Sequence, residues 1–462
     1  MNHSNASQAG FAQRELATFI HGLPFAAIPE NFRTRLKQSV LDSIGCGLHG
    51  AGTPWAAMVA VHATTQGSGP CRLWSHPGVR VGSSAAVLAN ATMIHSFELD
   101  DIHSGSRSHP GGVTLPVALA LAESGRVVPG RALIEALAVG YETLVRVGAC
   151  QGVSSFNRGW HPTGTAGVFA AAATASRVLG LDPERCVHAL GVAGTMPCGL
   201  MAAQYGAMVK RLYAGHAAAA GLLGASLAQS GFTGVTDIFE ADYGGYPKAV
   251  SDEINLAALT EGLAIRFDAA SIGYKLFSCV GTNHTALQAI ADLMRTNAIG
   301  ADAVESVEIT TSQYQVLHSG WDYVPGTVMA AQMNLQYCTA VLLLEGDVFV
   351  DQFRDALLAD PAVLALASRV KVITDPVQDH KDRTARVTLL LRGGRRLEGR
   401  CAAARGHALN PPEWSDLERK FLALAGDRLS EGVCAELVDM TRRLEDIDDV
   451  NSLLRLLDTA TA

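Results

Sequence analysis

The sequence is short of charge. Only 17% of its 462 residues are Asp, Glu, Lys or Arg, against roughly a quarter in an average soluble protein. Apolar residues make up 48%, so the shortage implies a large buried volume and a subunit interface, and we expect a dimer. Positive charge is the scarcer sign. A net charge of -8 argues against nucleic acid and anionic membrane surfaces as partners. A small acidic substrate stays open, because local lysines can outweigh a weak global field.

Paired cysteines are also missing. The nine cysteines, at 46, 71, 150, 186, 198, 279, 338, 401 and 434, form no C-x-x-C. This pattern points to reduced, buried thiols in the cytoplasm rather than to disulfides, zinc or an iron–sulfur cluster. No apolar run is long enough for a membrane span: the stretch from Ala166 to Ala175 stops at Ser176-Arg177, well short of about 20 residues. Met1 to Gly10 is polar and lacks the pattern of a signal peptide. Neither G-x-G-x-x-G nor a Walker motif occurs, so nothing suggests a nucleotide. There is no internal repeat and no low-complexity linker.

What is present falls into two patterns. Through the first 270 residues the periodicity is helical. Phe32, Leu36, Val40 and Ile44 recur every four residues after Pro29-Glu30, and Leu133, Leu137, Leu144 and Val147 form a second stripe. The runs Ala170–Ala173 and Ala217–Ala220 imply helices in close approach. After about residue 300 the period becomes two. Val307, Ile309 and Thr311 alternate with polar residues, as do Val370 and Val372, then Val387, Leu389 and Leu391, with Gly393-Gly394 as a hairpin turn before Leu397. Helical spacing returns through Leu417, Phe421 and Leu424. The expected fold is mainly α: a large helical domain of residues 1–268 and 408–462, with a smaller α+β domain, 269–407, inserted.

Four segments could carry chemistry. His95 through His103, followed by Ser108-His109-Pro110-Gly111-Gly112, sets three carboxylates and three imidazoles in fifteen residues. Glycine, serine and proline interrupt it, so these groups belong to a helix end and a loop, an arrangement suited to proton transfer. Gly159 through Thr165 places His161, Thr163 and Thr165 ahead of an alanine-rich helix, where backbone N–H groups favour an anion. Met208 through His216 contains Lys210-Arg211 in neutral surroundings, and Gly273 through Cys279 contains Lys275 at the proposed domain junction. Two lysines, an arginine and several histidines around one cleft would bind a multiply charged carboxylate and acidify the C–H beside it.

Structural readings absorb some of these residues. His95, His188 and His216 read as core histidines satisfied by backbone or carboxylate. Asp100 and Asp101 are equally suited to capping a helix. Arg211 and Lys248 read as surface or structural charges, and Gly244-Gly245 as a turn. His109, His161, Lys210 and Lys275 remain as functional candidates.

Taken in order, the segments resemble the MmgE/PrpD family of 2-methylcitrate dehydratases, cis-aconitate decarboxylases and iminodisuccinate epimerases. The likeness runs along nearly the whole chain: Asp42-Ser43-Ile44-Gly45, Asn90 through Asp101, His109-Pro110-Gly111-Gly112 with Pro116, and Ala120 through Glu123. It continues in His161 through Thr165, Lys210-Arg211-Leu212 with Gly215, Gly231 through Gly234, Lys275 with Cys279 and His284, and Ala331-Gln332 with Tyr337. The resemblance implies a homodimer with a lid-like smaller domain, no metal or organic cofactor, and a site between domains for small di- or tricarboxylates. Carried over by position, His109 is the principal acid/base, with His161 as a second contact or proton relay. Lys210 and Lys275 bind substrate carboxylates, and Asp101 orients these groups or shares in proton transfer.

The chain departs from the family at Glu98, where Asp is usual, at Ile102, where the dehydratase and decarboxylase sites have Thr, and at Tyr213, often His. The loop from Ile102 to Ser108 is slightly long and brings in His103 and Arg107. His103 therefore joins the catalytic candidates, and Glu98 and Thr165 the substrate-binding ones. The leading expectation is a cofactor-independent lyase, a dehydratase or decarboxylase of a small di- or tricarboxylate. The alternatives are an epimerase of an iminodisuccinate-like dicarboxylate and a non-catalytic carboxylate-binding protein.

Overall fold

In a computed structural model, residues 10–378 and 382–459 are described. The polar N-terminal stretch lies outside them apart from Gly10. Helix accounts for 58% of the structure and strand for 8%, so the fold is mainly α. Among the described residues no helix is long and apolar enough to cross a membrane.

The first apolar core is built by helices that include Glu30–Gly50, Ser83–Ile94, Pro110–Glu123, Gly130–Asn157, Gly167–Leu179 and Val209–Gln229. The four-residue stripe of Phe32, Leu36, Val40 and Ile44 is buried along its length, as are Leu133, Leu137, Leu144 and Val147. The alanine runs meet where the helices Gly167–Leu179 and Val209–Gln229 cross. A Cβ at Gly221 would lie 2.4 Å from the Ala171 Cβ and 2.5 Å from the Ala172 nitrogen. Small side chains here let two backbones touch, and a methyl group has no room. Leu417, Phe421, Leu424 and Leu454, from the C-terminal helices, pack into this same core.

One element here went unforeseen. Cys71–Arg72 (β1) and Arg80–Val81 (β2) form an antiparallel ribbon. With two residues per strand, it is too short to impose an alternating pattern.

A second core gathers side chains from Cys279 to Leu397. Its sheet has the order β4-β3-β5-β6, with β3 at Val304–Thr311, β4 at Val370–Thr374, β5 at Ala385–Leu391 and β6 at Arg396–Cys401. β3 pairs in parallel with β4 and antiparallel with β5, so Ile309 stands between Val372 and Val387. Val307, Ile309, Val387 and Leu389 turn inward onto the helices His284–Asn297 and Leu335–Glu345. Gly393-Gly394 makes the turn from β5 to β6.

The two cores meet at a short bridge. Ile102 and Gly273 exchange backbone hydrogen bonds of 2.9 and 2.8 Å, tying the acid- and histidine-rich loop to the segment that carries Lys275.

Gly221→Ala tests the helix crossing. A helical Gly→Ala change gains about 1 kcal/mol in propensity, but overpacking against backbone costs about 1–3 kcal/mol. We expect a net loss, seen as a lower Tm in calorimetry; an unchanged or higher Tm would mean the helices yield at this point.

Candidate active site

Three helix starts deliver the candidate residues. His109 precedes Pro110–Glu123, His161 precedes the turn Pro162–Thr165, and Lys210 lies in the first turn of Val209–Gln229. Proline opens the first two, supplying a fixed φ where an N–H is dispensable. The loop 95–109 is held from several sides. Lys420, on the C-terminal helix Trp414–Ala425, donates to Asp42 Oδ1 at 2.6 Å and to the Leu99 carbonyl. Ser278 and Gln332 donate to the Phe97 carbonyl at 3.1 and 3.0 Å.

Asp101 faces away from the cavity. Its Oδ1 accepts from the Gly111 N–H at 3.0 Å and its Oδ2 from the Tyr141 hydroxyl at 2.6 Å, so it caps the helix that begins at Pro110. A Cβ at position 111 would lie 3.0 Å from Asp101 Oδ1 and 2.4 Å from Ser43 Oγ, which is the steric reason for glycine there. Burial raises the Asp101 pKa to about 7, against the lowering effect of the Tyr141 hydrogen bond.

The cap orients His109. The His109 Nδ1 lies 2.7 Å from the Asp101 backbone carbonyl and 3.3 Å from Asp100 Oδ2. A carbonyl can only accept, so Nδ1 carries the proton and Nε2 keeps its lone pair. The His109 backbone N–H donates to Thr163 Oγ1 at 3.1 Å. Burial lowers the His109 pKa to about 3, although Asp100 opposes this. His95 stands behind: its Nδ1 donates to Asp100 Oδ2 at 2.6 Å and its Nε2 is buried without a hydrogen-bond partner. The His95 ring is 4.9 Å from His109 and 5.7 Å from His161, and the rings of His109 and His161 lie parallel at 6.3 Å. His161 Nδ1 is likewise buried and unpartnered. Burial, reinforced by Lys210, holds the His161 pKa well below normal.

Glu98 is the electrostatic centre. Its carboxylate accepts from Lys210, from Arg211 Nη1 at 2.8 Å and from Lys275 at 2.9 Å, while Lys275 also lies 3.6 Å from Asp100 Oδ1. Glu98 adopts a left-handed φ of 54°, which is uncommon for a side-chain-bearing residue. Burial alone would raise its pKa; Lys210, Lys275 and Arg211 bring it well below the normal range. Burial lowers Lys210 to about 8 despite Glu98. For Lys275, the acids Glu98 and Asp100 outweigh burial and raise the pKa.

These groups surround a cavity of about 60 Å³ between the two cores, lined by Glu98, Ile102, His109, His161, Lys210 and Lys275, together with Arg107, Tyr314, His318 and Arg383. Apolar walls come from Phe156, Met201, Val280 and Met333. Such a space holds a handful of waters or part of a small acid.

The structure gathers Glu98, His109, His161, Lys210 and Lys275 on this cavity and Asp101 one layer behind. Two candidates lie elsewhere. His103 Nδ1 accepts from the Ser106 N–H at 3.1 Å and its Nε2 faces Ser271 Oγ at 3.0 Å, so both nitrogens are occupied away from the cavity. Thr165 is fully buried and its hydroxyl meets the Gln151 amide at 3.3 Å; the neighbouring Thr163 is the hydroxyl that supports His109.

Other placements also differ from expectation. Arg211 is buried and binds Glu98 and Gln332 Oε1, the latter at 2.9 Å, and His216 is exposed. Lys248, by contrast, is the surface charge it reads as, paired with Asp242. His95 and Asp100 were legible only as structural residues, and Arg383 and His318 come from the second unit with no local motif to mark them.

Among the described residues, one group has metal-ligand spacing: His95, Asp100 and His109, with atoms within 4.8 Å of one another. Both imidazoles direct Nδ1 at the same Asp100 oxygen, and the Lys275 ammonium sits 3.6 Å from the other. That cation disfavours a divalent ion at the same carboxylate.

Models for the MmgE/PrpD N-terminal and C-terminal domains match residues 14–257 and 277–446. The chain belongs to the MmgE/PrpD family. It is an enzyme of the MmgE/PrpD lyase type. A cis-aconitate decarboxylase-like protein, oryM, of Aspergillus oryzae is 32% identical over 99% of both chains. The cis-aconitate decarboxylase of Aspergillus terreus is 31% identical over 96% of this chain and 95% of its own. The Homo sapiens cis-aconitate decarboxylase is 26% identical over 96% and 93%. Within this MmgE/PrpD site, the Asp-to-Glu departure at 98 is the one that reaches all three cations.

Glu98→Gln removes the charge that those cations share. Breaking a buried ion pair costs about 3–5 kcal/mol, and we expect a loss of that size in urea unfolding at neutral pH. A change below about 1 kcal/mol would show that the cluster is not held by this carboxylate.

Proposed function

We propose that this enzyme decarboxylates a small unsaturated tricarboxylate, with cis-aconitate the first substrate to test, using His109 for proton transfer and no cofactor. The observation that carries the reading is His109 itself: its Nδ1 is committed to a carbonyl, its ring faces the cavity, and Lys210 and Lys275 stand beside it. Likeness to cis-aconitate decarboxylases over almost the full length supports the substrate class.

The chemistry needs one proton. A carboxylate β,γ to a double bond loses CO2 as the C–C bonding pair moves into a new double bond. The displaced π pair settles on the carbon next to another carboxylate, where His109 delivers a proton. His109 is neutral at rest because burial depresses its pKa. A bound anion adds negative charge beside it and raises that pKa, and Asp100 at 3.3 Å steadies the imidazolium. Cations near the substrate stabilise the developing enolate-like charge. The decarboxylase relatives favour loss of CO2 over loss of water. A leaving hydroxyl needs its own proton donor, whereas CO2 departs neutral.

The proposed form is a cytoplasmic homodimer. Nine unpaired cysteines suit a reducing compartment. The exposed apolar side chains of Leu200, Tyr205, Met208 and Val209 give a face that a second subunit would cover.

Incubation with cis-aconitate in deuterated water, followed by proton NMR, tests the reaction. We expect a decarboxylated olefin carrying one deuterium, and His109→Gln to lower kcat by about 10²–10⁴ with a smaller change in KM. Deuterium entering the substrate without loss of CO2 would instead identify an epimerase. Binding with neither exchange nor turnover would identify a non-catalytic protein.

The pH profile follows from Lys210. Its ammonium is lost as pH rises through about 8, and with it the attraction for an anion. We therefore expect kcat/KM to fall above about pH 8, and Lys210→Arg to move that limb upward. A flat profile to pH 9.5 in the wild type would remove Lys210 from substrate binding.

A further inference from the structure

Around Glu98, three cations already face two carboxylates: Lys210, Arg211 and Lys275 against Glu98 and Asp100. One net positive charge remains there, while a tricarboxylate brings three negative ones. The balance has to come from cations that the cluster has not engaged.

Two such cations line the cavity. Arg107 comes from the long loop of the first unit and Arg383 from the segment leading into β5 of the second. Among the described residues neither guanidinium has a carboxylate partner. Arg107 Nε is buried without a hydrogen bond, and its guanidinium lies 5.9 Å from the centre of the Tyr314 ring. Arg107 holds a left-handed φ of 56°, a conformation that persists where surrounding structure imposes it. Burial depresses the Arg383 guanidinium, and Arg107 acts in the same direction, so the two cations repel each other across a half-buried space.

Their location is equally specific. Arg107, Tyr314 and Arg383 line both the cavity and an adjoining recess of about 840 Å³. Glu253 and Asp382 also line the recess, but among the described residues neither forms an ion pair with either arginine. The arginines thus stand on the wall that the cavity and the recess share.

We propose that Arg107 and Arg383 form a carboxylate-binding clamp for a substrate carboxylate that Lys210 and Lys275 do not hold, selecting tricarboxylates over dicarboxylates. This rests on the tricarboxylate reading above and deepens it. A carboxylate between the guanidiniums relieves their repulsion and gives each a charge-assisted hydrogen bond. Because one arginine belongs to each unit, the same carboxylate joins the two cores.

Calorimetric titration of the whole enzyme with propane-1,2,3-tricarboxylate tests this, since that saturated acid binds without needing turnover. Methylsuccinate serves as the dicarboxylate control. We expect Arg107→Gln and Arg383→Gln each to weaken tricarboxylate binding about 10- to 100-fold and to leave methylsuccinate within twofold. The double variant should lose less than the product of the single losses, because both residues grip one group. Arg107→Lys and Arg383→Lys, checked for an unchanged melting curve, should recover part of the affinity. Unchanged tricarboxylate binding, equal weakening of both ligands, or a wild type that does not bind the tricarboxylate would each overturn the clamp. A wild type that binds it and shows the discrimination, yet leaves cis-aconitate intact, would sustain the clamp and refute the proposed decarboxylation.

Discussion

The site depends on one buried carboxylate. Lys210, Arg211 and Lys275 arrive from a helix start and from the segment that runs between the two cores, far apart in sequence, and each would be costly to bury alone. Glu98 makes their convergence possible by accepting from all three. Those cations hold its pKa well below the normal carboxylate range, against the raising effect of burial. The cluster is therefore both a structural junction and a reserve of positive field for an anionic ligand.

Around this junction the backbone does most of the positioning. Asp101 caps the helix from Pro110, and its carbonyl fixes His109. Lys420 reaches from the C-terminal helices to the Leu99 carbonyl, and Gln332 from the second unit to that of Phe97. Every one of these contacts bridges segments far apart in sequence or turns a side chain back on its own loop. The 95–109 loop is thereby tied at Phe97, Leu99 and Asp101 without belonging to any long regular element.

Much of the scaffold was legible because it is periodic. The Phe32–Ile44 stripe and the alternation around Ile309 are buried as their spacing implies. β1 and β2 were invisible because two-residue strands have no period. In the site, unusual composition revealed the segments but not the partners. Arg211 read as an ordinary charge because nothing in sequence announces that its neighbour in space is Glu98. His103 and Thr165 show the opposite case: they sit among the right motifs, but their side chains meet Ser271 and Gln151 instead of the cavity. Arg383 could not be found at all, since it lies in a strand approach of the second unit.

The bond from His109 Nδ1 to the Asp101 carbonyl has an evolutionary side. Main-chain acceptors are common to all twenty residues, so no replacement at position 101 can delete this one. The tautomer of the imidazole is thereby shielded from point mutation, while the side chain at 101 stays exposed to selection through the cap it provides. Drift at that position can weaken the cap, while the acceptor that selects the ring nitrogen stays in the main chain.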